Sequence, residues 1–254
     1  MIPVTINSQP DDETCGPTSL HAIYRFYGYD ISHEQVISEV ERSISGGTLA
    51  PFLGKHALEH GFNSIIYINN LRLFDPTWFE AQMNPMEHLI EKLREHRKYH
   101  QDEGLLQDSN AYEKYLLAGG VLGFPTLNRR LLRKFFKQNV PILTGLNATY
   151  LYKTERERFT EEGESVFDDM RGSPCGHFVV LCGHESSDNL VVVADPHRKN
   201  PISHDNYYEV PISRLMNAIL LGVYTFDANL LIIYPKDLKI KQPTKMELLR
   251  WATG

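Results

Sequence analysis

Cys15 stands near the start of the chain in a context typical of a nucleophile. It lies between a polar loop and a segment from Leu20 onward, in which apolar residues recur at the i, i+3, i+4, i+7 spacing of one helix face. Gly28 predicts the end of that helix, and Pro17 suits its first turn. Cys15 is therefore expected at a helix entry, where unpaired backbone N–H groups and the helix dipole stabilise a thiolate over a thiol. The alternative interpretation is a small buried core residue.

A histidine and an aspartate far along the chain are the candidate partners of this cysteine. The segments from His177 to Cys182 and from Asn189 to Ala194 predict two strands of a hairpin, and Asp195 directly follows the second. A hairpin places His177 and Asp195 side by side at one end of a sheet. There the carboxylate accepts one imidazole N–H and orients the ring, whose other nitrogen faces the Cys15 sulfur.

Gln9 completes the predicted site from the loop that precedes Cys15. Its side-chain amide and the backbone N–H of Cys15 supply two donors for the oxyanion of a tetrahedral intermediate. The residue types thus predict Cys15 as nucleophile, His177 as general base and acid, Asp195 as the group that orients the ring, and Gln9 in the oxyanion hole.

A zinc site competes with this interpretation. The pairs Cys175-x-His177 and Cys182-x-His184 consist of good zinc ligands. In one extended strand, however, His177 faces the side opposite to Cys182 and His184, and only a turn at Gly183 restores the ligand geometry. Cys182 is therefore interpreted as a core residue, and no metal or cofactor is expected. Three further histidines are interpreted as part of a solvated helix face: His88, His96 and His100.

Composition limits the classes of partner. The chain has 254 residues, of which 42% are hydrophobic and 23% charged, as in an ordinary soluble globular protein. The net charge of −6 without a basic stripe argues against nucleic acid and anionic membranes as partners. Three cysteines, an odd number, suit a reducing compartment. No signal peptide or membrane-spanning run is recognised, so a cytoplasmic location is expected.

The elements that must position these residues predict an α+β fold in a single domain, 1–254. A short strand is expected at Val4 to Ile6, and residues 71–118 are interpreted as an inserted helical subdomain with a polar stretch at 98–110. The segment 153–171 is dense in charge and predicts a solvated loop or exposed helix, with a mobile flap over the site as the alternative. The tail, 236–254, is polar.

Three local motifs together resemble the papain-like cysteine peptidases. They are Gln9-x5-Cys15-Gly16-Pro17-x-x-Leu20, Gly176-His177-Phe178-Val179-Val180 and Val193-Ala194-Asp195-Pro196. Within that superfamily the chain is most similar to the group that processes bacteriocin leaders after a double glycine. The resemblance implies a papain-like fold, in which an N-terminal helix bearing the cysteine packs on an antiparallel sheet bearing the histidine and the aspartate. It also implies the same four roles for Cys15, His177, Asp195 and Gln9.

The chain departs from the leader peptidases in the long separation of Cys15 and His177, which the insertion 71–118 and the charged segment 153–171 absorb. Their substrate preference is therefore not carried over. The expected function is a cysteine peptidase or amidase that hydrolyses a peptide bond through a thioester, with a peptide or protein as substrate. An acyl- or peptidyl-transferase using the same residues and a non-catalytic peptide-binding module remain as alternatives.

Overall fold

The structure, a computed structural model, describes residues 1–44, 46–80, 84–160, 165–184, 189–225 and 228–242. Its centre is a seven-stranded sheet, accompanied by a separate two-stranded ribbon. The strands in chain order are β1 (Phe62–Ile68), β2 (Val121–Gly123), β3 (Ile142–Asn147), β4 (Glu157–Phe159), β5 (Ser165–Phe167), β6 (Gly176–His184), β7 (Leu190–Ala194), β8 (Tyr207–Pro211) and β9 (Asn229–Pro235). The large sheet has the order β2-β1-β9-β3-β6-β7-β8, and β4 pairs with β5.

Helices cover both faces of this sheet. In chain order they are α1 (Cys15–Phe26), α2 (His33–Glu39), α3 (Ala50–Glu59), α4 (Pro85–Arg97), α5 (Glu103–Leu117), α6 (Arg129–Phe136), α7 (Ala148–Tyr152) and α8 (Ile212–Leu221), with short 3-10 helices at Pro76–Glu80 and Gly222–Thr225. Among the helices of the described ranges, none has both the length and the apolar character needed to cross a bilayer.

Alternation along β6 divides the buried side chains into two cores. Phe178 and Val180 belong to a first core on one face of the sheet, whereas Val179 and Leu181 belong to a second core on the other. Successive side chains of a strand point to opposite faces, so this central strand is apolar on both sides. The helices divide likewise, with Leu20, Leu53, Leu93 and Tyr115 in the first core and Leu132, Phe135, Leu215 and Ile219 in the second.

One pair of strands departs from the antiparallel sheet that the sequence predicts. β1 and β2 run parallel, with Ile65 opposite Val121, whereas the other neighbouring pairs of the large sheet are antiparallel. A parallel pair needs a crossover of a dozen residues or more, and the helices of 71–118 provide it. The mixed α+β class agrees with the expectation, and β6 and β7, the strands next to His177 and Asp195, do pair antiparallel; the β1–β2 pair at the far edge is the exception.

Residues 71–118 form helices that pack into the first core. α5 begins at Glu103, inside the stretch 98–110 that the sequence analysis describes only as polar. The carboxylate of Asp102 caps it by accepting the backbone N–H of Leu105 at 2.7 Å. The polar stretch is helical because a narrow face of α5, including Leu105 and Ser109, is buried.

Two further expectations are corrected. Val4 to Ile6 is not a strand: Val4 and Ile6 are buried, but the Ile6 N–H donates to the Tyr207 hydroxyl instead of to a strand ladder. The charged segment 153–171 is not a helix in its described residues. Turn and loop residues flank a two-stranded ribbon of β4 and β5, which an Arg158–Asp168 ion pair of 2.9 Å supports. In the predicted polar tail, residues 243–254 lie outside the described residues.

Candidate active site

Cys15 is the first residue of α1 and is 9% exposed. The N-cap residue, Thr14, makes no side-chain cap; its hydroxyl donates to the Asp11 carbonyl instead, at 3.3 Å. N–H groups at the start of α1 thus receive no acceptor from Thr14, which suits an anionic group at Cys15. The Ser19 hydroxyl donates to the Phe178 carbonyl at 3.1 Å and so ties α1 to β6.

Gly16 allows α1 to approach its neighbours closely. A Cβ atom at this position would lie 2.3 Å from Thr48 Cγ2, and 3.3 Å from both Leu53 Cδ1 and Phe178 Cδ2. These neighbours belong to the segment before α3, to α3 itself and to β6. The missing side chain of Gly16 therefore brings the helix entry against the strand that carries His177.

The histidine and the aspartate meet at the end of the β6–β7 hairpin. Val180 pairs with Ala194, so Asp195 lies one residue beyond the end of β7, diagonal to His177 on β6. His177 Nε2 is 2.8 Å from Asp195 Oδ1, and the two residues are 7% and 0% exposed. Since Nε2 is engaged by Asp195, Nδ1 is the ring nitrogen left to face the Cys15 side chain, which lies near enough to raise the pKa of the ring.

Asp195 is a buried carboxylate whose hydrogen bonds are well satisfied. Its Oδ2 accepts the hydroxyls of Tyr152, at 2.7 Å, and Tyr208, at 2.6 Å. Its Oδ1 also accepts the backbone N–H of His197 at 2.8 Å. Burial by itself raises the pKa of Asp195, but the charge and hydrogen bond of His177 and the two tyrosine hydroxyls outweigh burial, and the net shift is downward. Asp195 is therefore a fixed negative charge.

That charge controls the protonation of His177. Burial lowers the pKa of the imidazole, but the Asp195 carboxylate raises it through charge and a hydrogen bond, and Cys15 adds to the increase. The resulting pKa is about 10. The ring is therefore a protonated imidazolium at neutral pH, the partner that a thiolate requires.

Gln9 is anchored beside the carboxylate through its backbone, because its N–H donates to the Pro196 carbonyl at 2.9 Å. Its side-chain Nε2 donates to the Asp11 carbonyl at 2.7 Å. An amide nitrogen carries two hydrogens, so one N–H of Gln9 remains to be used. The loop before α1 thus joins the Cys15 end of the site to the Asp195 end.

A cleft of about 790 Å³ opens at Cys15. Both segments that lengthen the chain contribute to its walls: Asp108 lies on α5 of the insertion, and Glu157 and Arg158 lie on β4 of the charged ribbon. The acidic lining residues outnumber the basic ones, and they are Asp12, Glu13, Glu103, Asp108 and Glu157. Such a cleft suits an elongated substrate that carries positive charge.

The zinc alternative does not fit the positions of its cysteines. The Cys182 side chain lies in the first core with its Sγ directed to the Val180 carbonyl at 3.6 Å, and burial raises its pKa to about 12. Cys175 lines the cleft, and its backbone N–H donates to Thr149 Oγ1. His177, meanwhile, is bonded to Asp195, so these three side chains share no ligand position.

Sequence reasoning missed three neighbours of the His177–Asp195 pair, which are Tyr152, Tyr208 and His197. Tyr152 comes from α7, a helix that no pattern predicted, and Tyr208 lies on β8. The one available signal was alternation along β8, since Tyr208 and Val210 are buried while Tyr207 and Glu209 are exposed. His197 is half-buried, and its ring centroid is 6.3 Å from that of His177.

Comparisons with known proteins agree at the level of the fold. No family model matches the chain, and no curated protein sequence does. Among solved structures, the chain is similar to a crystal structure from Bacillus anthracis described as a C39-like peptidase, with 13% identity and a TM-score of 0.50. The similarity covers 95% of this chain and 98% of that one. The mixed seven-stranded sheet with its helices is thus similar to a C39-like peptidase fold.

Proposed function

We propose that this chain is a cysteine peptidase or amidase that cleaves a peptide bond through a thioester on Cys15. The observation that carries the proposal is the buried His177–Asp195 pair, together with Cys15 at the entry of α1 and in the lining of a cleft. The fold similarity to a C39-like peptidase supports it.

The first half of the reaction is acylation. The Cys15 thiolate attacks the substrate carbonyl carbon, and the carbonyl π electrons move to oxygen as the S–C bond forms. The N–H of Cys15 and the remaining N–H of Gln9 donate to that oxyanion. When the C–N bond breaks, His177 gives its proton to the departing amine, and the thioester remains.

Hydrolysis returns the enzyme to its starting state. His177, now neutral, accepts a proton from water as the oxygen attacks the thioester carbonyl. The second tetrahedral intermediate expels the Cys15 thiolate and releases the carboxylic acid, and the imidazolium is restored. Asp195 holds the ring orientation throughout, through its bond to Nε2.

The proposal is tested with a peptide library and two proteins, the native chain and Cys15→Ala. We expect shortened peptides with new carboxyl ends from the native chain and none from the variant, detected by mass spectrometry. An added amine acceptor distinguishes hydrolysis from transfer, because a transferase would form the new amide in preference to the acid.

Alkylation provides a readout that needs no substrate. Iodoacetamide should modify Cys15 first and Cys182 last, since Cys182 is buried and its pKa is raised to about 12. Preferential labelling of Cys175 or Cys182, together with a library that yields no product, would contradict the proposal.

A further inference from the structure

A cluster of three potential metal ligands lies between α2 and the end of α3, and none of the three lines the cleft. His56 and His60 are four residues apart at the end of α3, and Glu39 ends α2. His56 Nε2 and His60 Nε2 each lie 3.1 Å from Glu39 Oε2. The three potential ligand atoms all lie within 4.8 Å of one another, and the imidazoles are stacked with centroids 4.1 Å apart.

The remaining polar atom of each of these side chains is held by a neighbour. His56 Nδ1 is 2.7 Å from the Tyr24 hydroxyl, and His60 Nδ1 is 2.9 Å from the Tyr29 hydroxyl. On the carboxylate, Glu39 Oε1 accepts the Gln35 amide at 2.7 Å. Metal ligands in proteins are oriented in this way, by outer hydrogen bonds that fix each ring and carboxylate and leave the inner atoms directed at one point.

We propose that Glu39, His56 and His60 bind a divalent transition metal ion, with Zn²⁺ as the best match. Two imidazoles and a carboxylate are a ligand set that zinc uses, and bonds of about 2.0–2.2 Å to a tetrahedral ion separate neighbouring ligands by about 3.3 Å. The separations of 3.1 Å from Glu39 Oε2 agree with that spacing. The side chains of Glu39 and His60 are 38% and 21% exposed, so water reaches the fourth position.

Metal binding requires each of the two imidazoles to carry its proton on Nδ1 and to leave Nε2 free for the ion. Each neutral imidazole coordinates through Nε2 and carries its proton on Nδ1, where it is donated to a tyrosine oxygen. The hydroxyl groups of Tyr24 and Tyr29 accept as readily as they donate. The two imidazole–tyrosine hydrogen bonds therefore persist with their direction reversed, and the ion replaces the two imidazole–Glu39 hydrogen bonds.

The ion would act as a clamp on the helices that support Cys15. It would join α2 to α3 directly, and Tyr24 would extend the connection to α1. Tyr24 lies nine residues beyond Cys15 on α1, about 13 Å by helical rise. The site is thus separate from the reacting groups, and its metal would stabilise the folded chain without taking part in peptide cleavage.

The test measures Zn²⁺ affinity in the Cys15→Ala chain, because the Cys15–His177 pair itself offers metal ligands. After treatment with a chelator, Zn²⁺ is titrated in competition with a chromophoric chelator. We expect one equivalent to bind, at least tenfold weakening by His60→Gln or Glu39→Gln, and no change from His100→Gln. The control belongs to another histidine pair four residues apart, His96 and His100, whose ring centroids also lie 4.1 Å apart and which no third ligand joins among the described residues.

A positioning variant and a thermal readout separate metal binding from a simple hydrogen-bond network. Tyr29→Phe keeps every ligand and should weaken Zn²⁺ binding about 10- to 100-fold. Zn²⁺ should raise the Tm of Cys15→Ala and fail to raise that of the same chain with His60→Gln. Cys15→Ala that binds no Zn²⁺ would overturn the proposal. Equal affinity in Glu39→Gln, His60→Gln and His100→Gln would do the same, and neither result would bear on the cysteine peptidase proposal.

Discussion

At the scale of single residues, the site depends on the Asp195 carboxylate, which fixes both the orientation and the charge of the His177 ring. Asp195 accepts bonds from three side chains and one backbone N–H, so its position is determined by several elements at once. His177 is protonated at neutral pH because of it. The residue with the strongest effect on the histidine is thus one that never bonds to substrate.

Asp195→Asn should therefore change how stability depends on pH. The folded pKa of His177, about 10, lies above its usual value of 6.5, so its stabilising contribution is fully present below about pH 6.5 and is lost as pH rises through about 10. Without the carboxylate the folded pKa falls. We expect the decline of the free energy of unfolding between about pH 7 and pH 10 to become shallower, as measured by urea denaturation.

Asp168→Asn is the matched control for this experiment. The Asp168 carboxylate bonds Arg158 and Arg171, which together with backbone N–H groups hold its pKa far below neutrality, so its titration lies outside the alkaline range. This variant should keep the native slope. An unchanged slope in Asp195→Asn would refute the assigned link between the carboxylate and the ring.

In activity, Asp195→Ala should lose less than Cys15→Ala, because an orienting group forms no bond to substrate.

At the scale of elements, α5 brings an unusual carboxylate to the cleft. Asp108 is 5% exposed and lines the cleft. Burial raises its pKa to about 7, and the pull of Arg72 in the opposite direction is smaller. A buried charge destabilises the fold, and a cationic substrate group bound beside Asp108 in the cleft would offset that cost.

Asp108→Asn should therefore stabilise the chain at alkaline pH. The folded pKa of Asp108 lies above the usual 3.8. The free energy of unfolding of the native chain therefore falls as pH rises from about 3.8 to about 7, by a total on the order of 4 kcal/mol. The gain from Asp108→Asn should be larger near pH 8 than near pH 5 in urea denaturation. Glu103→Gln, at an exposed position of the same helix and cleft, should show no such gain.

The same substitution tests whether the cleft prefers cationic peptides. This prediction rests on the proposed peptidase function. Above about pH 7, Asp108→Asn should lower kcat/KM for peptides with Lys or Arg near the cleaved bond more than for neutral peptides. Equal losses for both kinds of peptide would count against a cationic subsite at Asp108.

Local patterns predicted elements well where a segment carries its own signal. The apolar spacing from Leu20 predicted α1, which ends at Phe26, two residues before Gly28. The first half of α5 was missed because most of its residues are polar and its buried face depends on tertiary packing. Tyr152 and Tyr208 reach Asp195 across long stretches of chain, and a tertiary contact of that kind leaves no local pattern.

At the scale of the whole molecule, the insertion shares its core with the rest of the chain. Its buried residues Leu89, Ile90 and Leu93 belong to the first core together with residues of α1 and α3. Tyr115 of α5 is fully buried, and its hydroxyl donates to Ser64 of β1 at 3.1 Å. The described residues of 71–118 therefore share the first core with the rest of the chain instead of forming a core of their own.

We expect the insertion and the sheet to unfold in one transition. Trp78 reports on the insertion, because its ring lies 5.6 Å from that of His96; Trp251 lies outside the described residues and is removed by Trp251→Phe. In guanidinium chloride, the midpoint from Trp78 fluorescence should coincide with the midpoint from far-UV circular dichroism, which follows the whole chain. An earlier fluorescence transition would show that residues 71–118 detach first. The cleft wall formed by Asp108 would then be lost while the Cys15–His177 pair was still assembled, and the single domain predicted from the sequence would have to be divided.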